Sequence, residues 1–224
     1  MVNSGNIIPG WLSRRLVHDD LSKISAAIRQ VEVTTSAEII PMIVRRSTFS
    51  GHTFPMATLI LFVIYLVAGG PSALGPWRDL DLAVLWTGID LAILALLGWG
   101  LSQMPLLQRA LSNGADLEAQ VLQRATLEFY AAGLQKTQDA TGILLFVSVT
   151  ERRAVVLADK TIAVKLPPET WNDVLAIIIQ GIKAGQLADG MVRALGKCGD
   201  LVRPHFPISE GDRNELRDVL IIKD

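Results

Sequence analysis

The 224-residue sequence has little cysteine, little histidine and almost no net charge. Its one cysteine, Cys198, excludes an internal disulfide and cannot form a zinc site by itself, which fits a reducing compartment. The three histidines, His18, His52 and His205, lie far apart in the sequence. The 21 basic and 22 acidic side chains nearly cancel, so nothing indicates binding to nucleic acid or to a strongly charged surface.

Common catalytic motifs are missing as well, because no P-loop, G-x-S-x-G or H-E-x-x-H pattern occurs. Cys198 and Arg203 lie on a predicted helix whose N–H donors are already used, so we interpret Cys198 as a packing residue. Asp79 and Asp81 are interpreted as a solvated helix cap. His205 is interpreted as a surface histidine, with an anion or metal contact as the alternative.

Two long apolar runs dominate the middle of the chain. Residues 54–70 carry no charged side chain, and residues 82–101 carry one, Asp90. A Gly/Pro-rich segment, residues 70–76, joins the two runs. Runs of this length are typical of helices that cross the roughly 30 Å hydrocarbon core of a membrane. We therefore predict a transmembrane helical hairpin at residues 53–102.

Two core helices buried in protein are the alternative, but such helices rarely lack a polar stripe over this length. Asp90 costs about 2.5–3.5 kcal/mol in a membrane helix, and each Leu, Ile or Val of its run returns about 0.3–0.6 kcal/mol. The run is therefore expected to insert. Arg45, Arg46 and Arg109 flank the hairpin, whereas the loop inside it has Arg78. This bias predicts an inner-membrane protein with both termini and the soluble domain in the cytoplasm.

Outside the hairpin the chain alternates between helical and strand patterns. Residues 1–16 lack a clear period and are predicted to be a tail that is disordered or touches the membrane. Residues 17–47 and 107–224 are predicted to form one discontinuous α/β domain with a small mixed sheet between helices. Its predicted strands are Glu38–Val44, Ile143–Val149, Ala154–Ala158 and Val219–Ile222.

The strand patterns also predict positions within the sheet. Pro41 cannot donate to a ladder, so the first strand is expected at a sheet edge or with a bulge. The second and third strands are expected to form a central antiparallel hairpin covered on both faces. The predicted helices are a segment around residues 21–31, a long helix from Pro105 towards Thr141, a short one after Asp159, and the segments Glu169–Ala184 and Leu187–Val202.

Four segments together resemble the TPM domain family, which includes thylakoid-lumen proteins of photosystem repair, a nematode receptor modulator and many bacterial proteins. Three of them are Ser36–Ile39, Gly142–Arg152 and Ala158–Ile162. The fourth, residues 206–216 (FPISEGDRNEL), is similar to the ending of bacterial TPM proteins that lack a secretion signal and carry a membrane insertion after strand one. The chain thus resembles a bacterial membrane-anchored variant.

The resemblance implies a Rossmann-like α/β/α sandwich. For some members it implies divalent-cation binding and acid phosphatase activity, and for others a non-enzymatic role in supporting a membrane complex. Asp159 is the only acid placed like the strand-end acid of the family, which makes it the candidate ligand for Ca²⁺ or Mg²⁺. Arg152, Arg153 and Asp200 are its expected neighbours, and the arginines would compete for the carboxylate. No catalytic residue is assigned.

Asp90 is the most informative single residue of the hairpin, because ionisable residues in membrane helices usually face protein or water. One hypothesis is that it contacts another subunit or a partner membrane protein. The alternative is a protonated Asp90 that is hydrogen-bonded to Thr58 or Thr87 of its own hairpin. Arg152 and Arg153 are the other expected partner contacts.

Two functions follow as expectations. The first is a membrane-anchored interaction, assembly or stability module that acts within a membrane complex, with a membrane protein or a second copy as its partner. The second is a membrane-tethered phosphatase that depends on a divalent metal held by Asp159. The missing catalytic groups favour the first.

Overall fold

The computed structural model describes residues 8–47, 53–68, 83–104, 114–137, 139–208 and 216–224, which form a mixed α/β fold. The helices are α1 His18–Glu32, α2 Thr53–Val67, α3 Ala83–Ser102, α4 Gly114–Ala131, α5 Lys160–Lys165, α6 Asn172–Ala184 and α7 Leu187–Val202. The strands are β1 Glu38–Val44, β2 Gly142–Ser148, β3 Arg153–Ala158 and β4 Ile221–Lys223. Short 3-10 turns lie at Leu134–Lys136 and Pro168–Trp171.

The chain divides into two compact units. Met1–Thr48 and Glu118–Asp224 form one unit, which we call the α/β unit, and Phe49–Leu117 form the other. The second unit contains α2 and α3, which we call the helical pair.

The four described strands form one mixed sheet in the order β3-β2-β1-β4. Strands β2 and β4 run parallel to β1, and β3 runs antiparallel to β2. The predicted small mixed sheet and the β2–β3 hairpin are thereby confirmed. The hairpin is not central, however: β2 is fully buried, whereas β3 forms the sheet edge and is only half-buried.

Strand β1 lies between two neighbours, so its predicted place at the sheet edge is wrong. The backbone N–H groups of Glu38 and Arg45 point to opposite sides, towards Thr141 O and Lys223 O respectively. By this alternation the nitrogen of Pro41 faces the β4 side. Pairing with β4 begins only at Met42, so the missing N–H of Pro41 falls just before the ladder starts. The proline is tolerated because β4 is short.

The side chains of the sheet alternate between two apolar layers. On one face Ile39 and Ile43 of β1 belong to a core that also contains residues of α1, α6 and α7. On the other face Ile40 and Met42 pack in a core with residues of α4, among them Phe129. Helices therefore cover both faces of the sheet.

The N-terminal segment belongs to the core from its described start onwards. Leu12 and Leu16 are fully buried, and the indole N–H of Trp11 donates to Asp224 Oδ1 over 2.7 Å. The prediction of a tail at residues 1–16 is therefore wrong for these positions. The reason is that Leu12 and Leu16 pack in the same apolar core as residues of α1 and α7.

In the part of the chain that the structure describes, no helix has both the length and the apolar character needed to cross a membrane. Helix α2 has 15 residues and is therefore about 22 Å long, less than the roughly 30 Å of hydrocarbon that both arms of a hairpin would have to span. The predicted multi-pass location in the inner membrane is thus wrong, and so is the transmembrane hairpin. The segment between the helices lies outside the described residues.

The two helices of the pair are antiparallel neighbours. Tyr65 of α2 contacts Asp90 of α3, and Thr58 contacts Gly98, where an added Cβ would overlap the threonine side chain. Glycine at position 98 thus permits close approach of the helices.

Candidate functional site

Asp159 closes strand β3 and begins helix α5. Its Oδ1 accepts a hydrogen bond from the backbone N–H of Lys160 over 2.7 Å, the N-cap arrangement expected of aspartate at this position. Its own N–H donates to Gly142 O over 2.9 Å, which fixes the end of β3 against the start of β2. The side chain is therefore held by both neighbouring elements and is only 8% exposed.

A cavity of about 520 Å³ lies beside Asp159, and we call it the Asp159 cavity. Phe129 and Tyr130 of α4 form part of its wall, and their rings meet edge to face with centroids 5.8 Å apart. Gln135, from the 3-10 turn after α4, lines another part. Strand β3 and helix α5 contribute the apolar side chain of Leu157 and the small ones of Ala158 and Ala163.

Two oxygen atoms at this cavity are buried without a hydrogen-bond donor. They are Asp159 Oδ2 and Gln135 Oε1. The amide nitrogen of Gln135 is used, since it donates to Tyr130 O over 3.4 Å. Two of the residues that line the cavity thus carry a buried acceptor without a donor, which is unfavourable.

The residues around Asp159 do not fit a divalent cation. Ca²⁺ takes six to eight oxygen ligands and Mg²⁺ six, commonly with more than one carboxylate in a protein-built site. Among the described residues that line the cavity, Asp159 is the only acid. Across the described residues, no group of three or more His, Cys, Asp or Glu side chains could hold a metal ion.

The expected neighbours of Asp159 lie elsewhere. Arg153 begins β3 and Asp159 follows its end, so the two are separated by the strand, about 20 Å at 3.3 Å per residue. Arg153 pairs instead with Glu118 at 2.8 Å, and Asp200 pairs with Arg203 at 3.6 Å. Arg152 is exposed in the turn, with a left-handed φ of 53°.

The carboxyl ends of β1 and β2 carry a separate polar cluster. Glu151 accepts hydrogen bonds from the hydroxyl of Ser148 and, over 3.3 Å, from the backbone N–H of Ser47. Arg46 lies 4.0 Å from the same carboxylate. This edge, where open α/β sheets commonly bind ligands, is thus closed by side chains of the chain itself.

A second cavity of about 310 Å³ lies between α1, the start of β1 and the C-terminal segment, and we call it the Glu32 cavity. Glu32, Glu38 and Asp218 line it together with Arg29. The pKa of Glu32 is raised from 4.5 to about 8, mainly by burial and to a smaller extent by the nearby charges of Glu38 and Asp218. The N–H of Ile39 donates to the Glu32 carboxylate over 3.2 Å and opposes this shift.

Sequence reasoning missed the Glu32 cavity. Glu32 ends α1 and Glu38 begins β1, and the short connection between the two elements was the signal in the sequence that these acids lie near each other. Asp218 could not be linked to them, because it follows 180 residues later and joins the cavity only through the pairing of β4 with β1.

Asp90 lies inside the helical pair. It is 6% exposed, and its Oδ2 accepts a hydrogen bond from the hydroxyl of Tyr65 over 2.7 Å. The side chain thus has a hydrogen-bond donor within its own hairpin, and its contact with another subunit or a partner membrane protein stays a prediction.

Two of the remaining candidates lie in the part of the chain that the structure describes. Cys198 is fully buried, and burial raises the pKa of its thiol to about 12, which agrees with a packing role. His205 is exposed, and its carbonyl accepts from Lys165 Nζ over 3.1 Å. Asp79, Asp81 and His52 lie outside the described residues.

Comparison with known proteins gives a likeness of fold. No family model matches the chain, and no curated protein matches it. The solution structure of BA42, a protein from the psychrophilic bacterium Bizionia argentinensis, superimposes with a TM-score of 0.57 at 18% identity. The alignment covers 92% of this chain and 94% of BA42. At this identity the likeness shows the fold alone.

Proposed function

We propose that this chain is an interaction module of the TPM type, which joins its α/β unit to a protein complex through the surface of the helical pair. The observation that carries the proposal is the exposure of the apolar side chains on α2 and α3. Among the side chains of the two helices that the structure describes, fifteen large hydrophobic ones are exposed, including Leu59, Ile64, Leu96 and Trp99.

This surface differs in kind from the scattered apolar residues found on most proteins. Neither helix has an acidic residue in its first turn or a basic one in its last, and exposed apolar side chains recur along both. Large apolar patches of this sort mark protein interaction surfaces, because leaving them in water is unfavourable. Asp90 supports the arrangement from inside, since its bond to Tyr65 ties the two helices together.

The TPM resemblance and the Rossmann-like sandwich it implies are part of the same proposal. Helices on both faces of a small mixed sheet are compatible with it. The partner is a protein with an apolar surface of its own, either a second copy of this chain or another component of the complex. Arg152, which is exposed in the turn before β3, is a further contact expected for that partner.

Site-specific photo-cross-linking tests the proposal. The photoreactive amino acid p-benzoylphenylalanine replaces Ile64, which is 58% exposed on α2, and as a matched control Val164, which is 86% exposed on α5. We expect a discrete cross-linked species from position 64 and none from position 164. A dimer identifies a second copy as the partner, and a discrete heavier species identifies another protein. Equal cross-linking from both positions, or none from position 64, would overturn the proposal.

A divalent-metal-dependent phosphatase is the second candidate, and the buried carboxylate of Asp159 beside a cavity is the observation that favours it. The available ligands count against it, because the described lining of the cavity contains a single acid, Asp159. Hydrolysis of p-nitrophenyl phosphate by the purified full-length chain, with Mg²⁺ or Ca²⁺, tests this candidate. Turnover that Asp159→Ala abolishes would restore it, and turnover absent from both proteins would dismiss it.

A further inference from the structure

We propose that helix α1 and strand β4 are joined by a proton that Glu32 and Asp218 share, and that loss of this proton releases β4 from β1. The part that moves is residues 216–224, which contain β4 and which we call the β4 segment. Every residue that carries the proposal belongs to the α/β unit, so the proposal is independent of the helical pair. Its basis is a hydrogen bond between two acids, the charges of the Glu32 cavity and the contacts of the β4 segment.

The side chains of Glu32 and Asp218 are hydrogen-bonded to each other at the Glu32 cavity. An ionised carboxylate only accepts hydrogen bonds, so two ionised carboxylates cannot form such a bond. One of the two acids must therefore carry a proton and donate it to the other. Because Glu32 ends α1 and Asp218 belongs to the β4 segment, this shared proton joins the helix to the segment.

The charges of the cavity make loss of the proton unfavourable while the segment is in place. The described lining has four charged or titratable residues, namely Arg29 and Glu32 of α1, Glu38 of β1 and Asp218 of the β4 segment. One arginine cannot neutralise three carboxylates, and the charges of Glu38 and Asp218 both act on Glu32. Like charges repel more strongly in a partly buried site than in water. Ionisation of Glu32 therefore removes a hydrogen bond and adds repulsion between α1 and the β4 segment.

The other described contacts of the β4 segment are weak ones. Strand β4 has three residues, and the N–H of Arg45 donates to Lys223 O over 3.0 Å beyond their ladder. Lys223 pairs with Glu128 of α4, and Asp224 accepts from the indole of Trp11. The apolar side chains of the segment are only half-buried. Segments with few buried apolar contacts open at a low free energy, so a change of charge at one contact can release this one while the sheet stays folded.

The sign of the pH dependence follows from the environment of Glu32. With β4 in place the pKa of Glu32 is raised to about 8, mainly by burial and then by Glu38 and Asp218. Release removes Asp218 and admits water, so the pKa of Glu32 falls towards its ordinary value. The docked state thus binds the proton more tightly. It is favoured below about pH 8 and loses stability as the pH rises through that value.

Hydrogen exchange of two backbone amides in the full-length chain, followed by NMR, tests the release. The N–H of Arg45 donates to Lys223 O, whereas Leu145 lies fully buried in β2 between β1 and β3. We expect the Arg45 amide to be at least about tenfold less protected than that of Leu145, because release of β4 precedes global unfolding. Between about pH 6 and about pH 8.5 the protection factor of Arg45, corrected for the intrinsic exchange rate, should fall by at least about tenfold.

Three variants separate the shared proton from a general effect of charge. Glu32→Gln and Asp218→Asn should each reduce the fall in Arg45 protection to less than about twofold, because an amide donates to the remaining carboxylate without a titrating proton. Asp224→Asn is the matched control. It removes one charge from the same segment outside the described lining of the cavity, so the fall should persist.

The proposal is overturned if the Arg45 protection factor of the wild type does not fall between these pH values. It is also overturned if the factor falls as much in Glu32→Gln and Asp218→Asn, both shown by circular dichroism to be folded. Equal protection of Arg45 and Leu145 at every pH would overturn it as well, because β4 would then leave only when the whole unit unfolds.

Discussion

Replacing Glu32 by glutamine should change how the stability of the α/β unit depends on pH. The pKa of Glu32 is raised from 4.5 to about 8, chiefly because burial disfavours its charged form. Below pH 4.5 the carboxyl is protonated in the folded and unfolded chains alike. Between pH 4.5 and about 8 only the folded chain keeps the proton, so stability falls as the pH rises through this window.

The size of the effect follows from the same two values. The shift of the pKa from 4.5 to about 8 sets an upper limit of about 5 kcal/mol on the free energy of unfolding that is lost when Glu32 ionises. Glu32 is half-buried at an open cavity, so solvent screening reduces the expected loss to about 2 kcal/mol. Glutamine cannot be charged but keeps the oxygen that accepts from Ile39. The free energy of unfolding of Glu32→Gln should therefore exceed that of the wild type increasingly from about pH 5 to about pH 8.5.

Urea unfolding at several pH values, followed by tryptophan fluorescence, measures this difference. Trp171 is buried in the α/β unit and reports its unfolding. Glu169→Gln, which removes an exposed carboxylate, is the matched control and should leave the pH dependence unchanged. In parallel, ¹³C NMR of the glutamate carboxyl groups should show a titration near pH 8 that is absent from Glu32→Gln. A stability difference that stays constant with pH, together with no such titration, would refute the reasoning.

Two further predictions concern close packing and the helical pair. Gly199→Ala should lower the free energy of unfolding by about 1–3 kcal/mol, because the new Cβ would lie 2.7 Å from Val31 Cγ1. Gly196 lies on the same helix with open space around it, so Gly196→Ala should raise the free energy of unfolding by up to about 1 kcal/mol. Equal effects of the two substitutions in urea unfolding would contradict this. Tyr65→Phe removes a hydrogen bond to the buried Asp90. Hydrogen exchange of the α3 amides should therefore become about tenfold faster or more, and the β2 amides, which should not change, serve as the internal reference. Unaltered α3 exchange by mass spectrometry would show that this bond does not hold the pair together.

Local signals in the sequence predicted most of the elements of the α/β unit. The segment Leu187–Val202 matches α7 at both ends, and the predicted end of the preceding helix at Ala184 matches α6, which Gly185 closes with a φ of 72°. Asp159 caps α5 as predicted, because capping depends only on the adjacent backbone. Such features are determined by residues within a few positions of one another.

Pairing between distant segments could not be predicted in the same way. The place of β1 inside the sheet depends on β4, whose three residues join from the far end of the chain. The predicted arginine neighbours of Asp159 were wrong because β3 is an extended strand, which places Arg153 at its start and Asp159 just beyond its end. Gln135 carries no sequence motif, and only the folded chain shows that it lines the same cavity as Asp159.

The sequence by itself determined the helical and strand segments, the two apolar runs and the cap at Asp159, because these depend on local spacing and on side-chain chemistry. The tertiary structure alone decided that α2 has 15 residues, that Asp90 faces Tyr65, and that Glu32 meets Asp218. Hydrogen-bond partners, burial and charge interactions depend on distances between remote residues, and only the packed chain sets those distances.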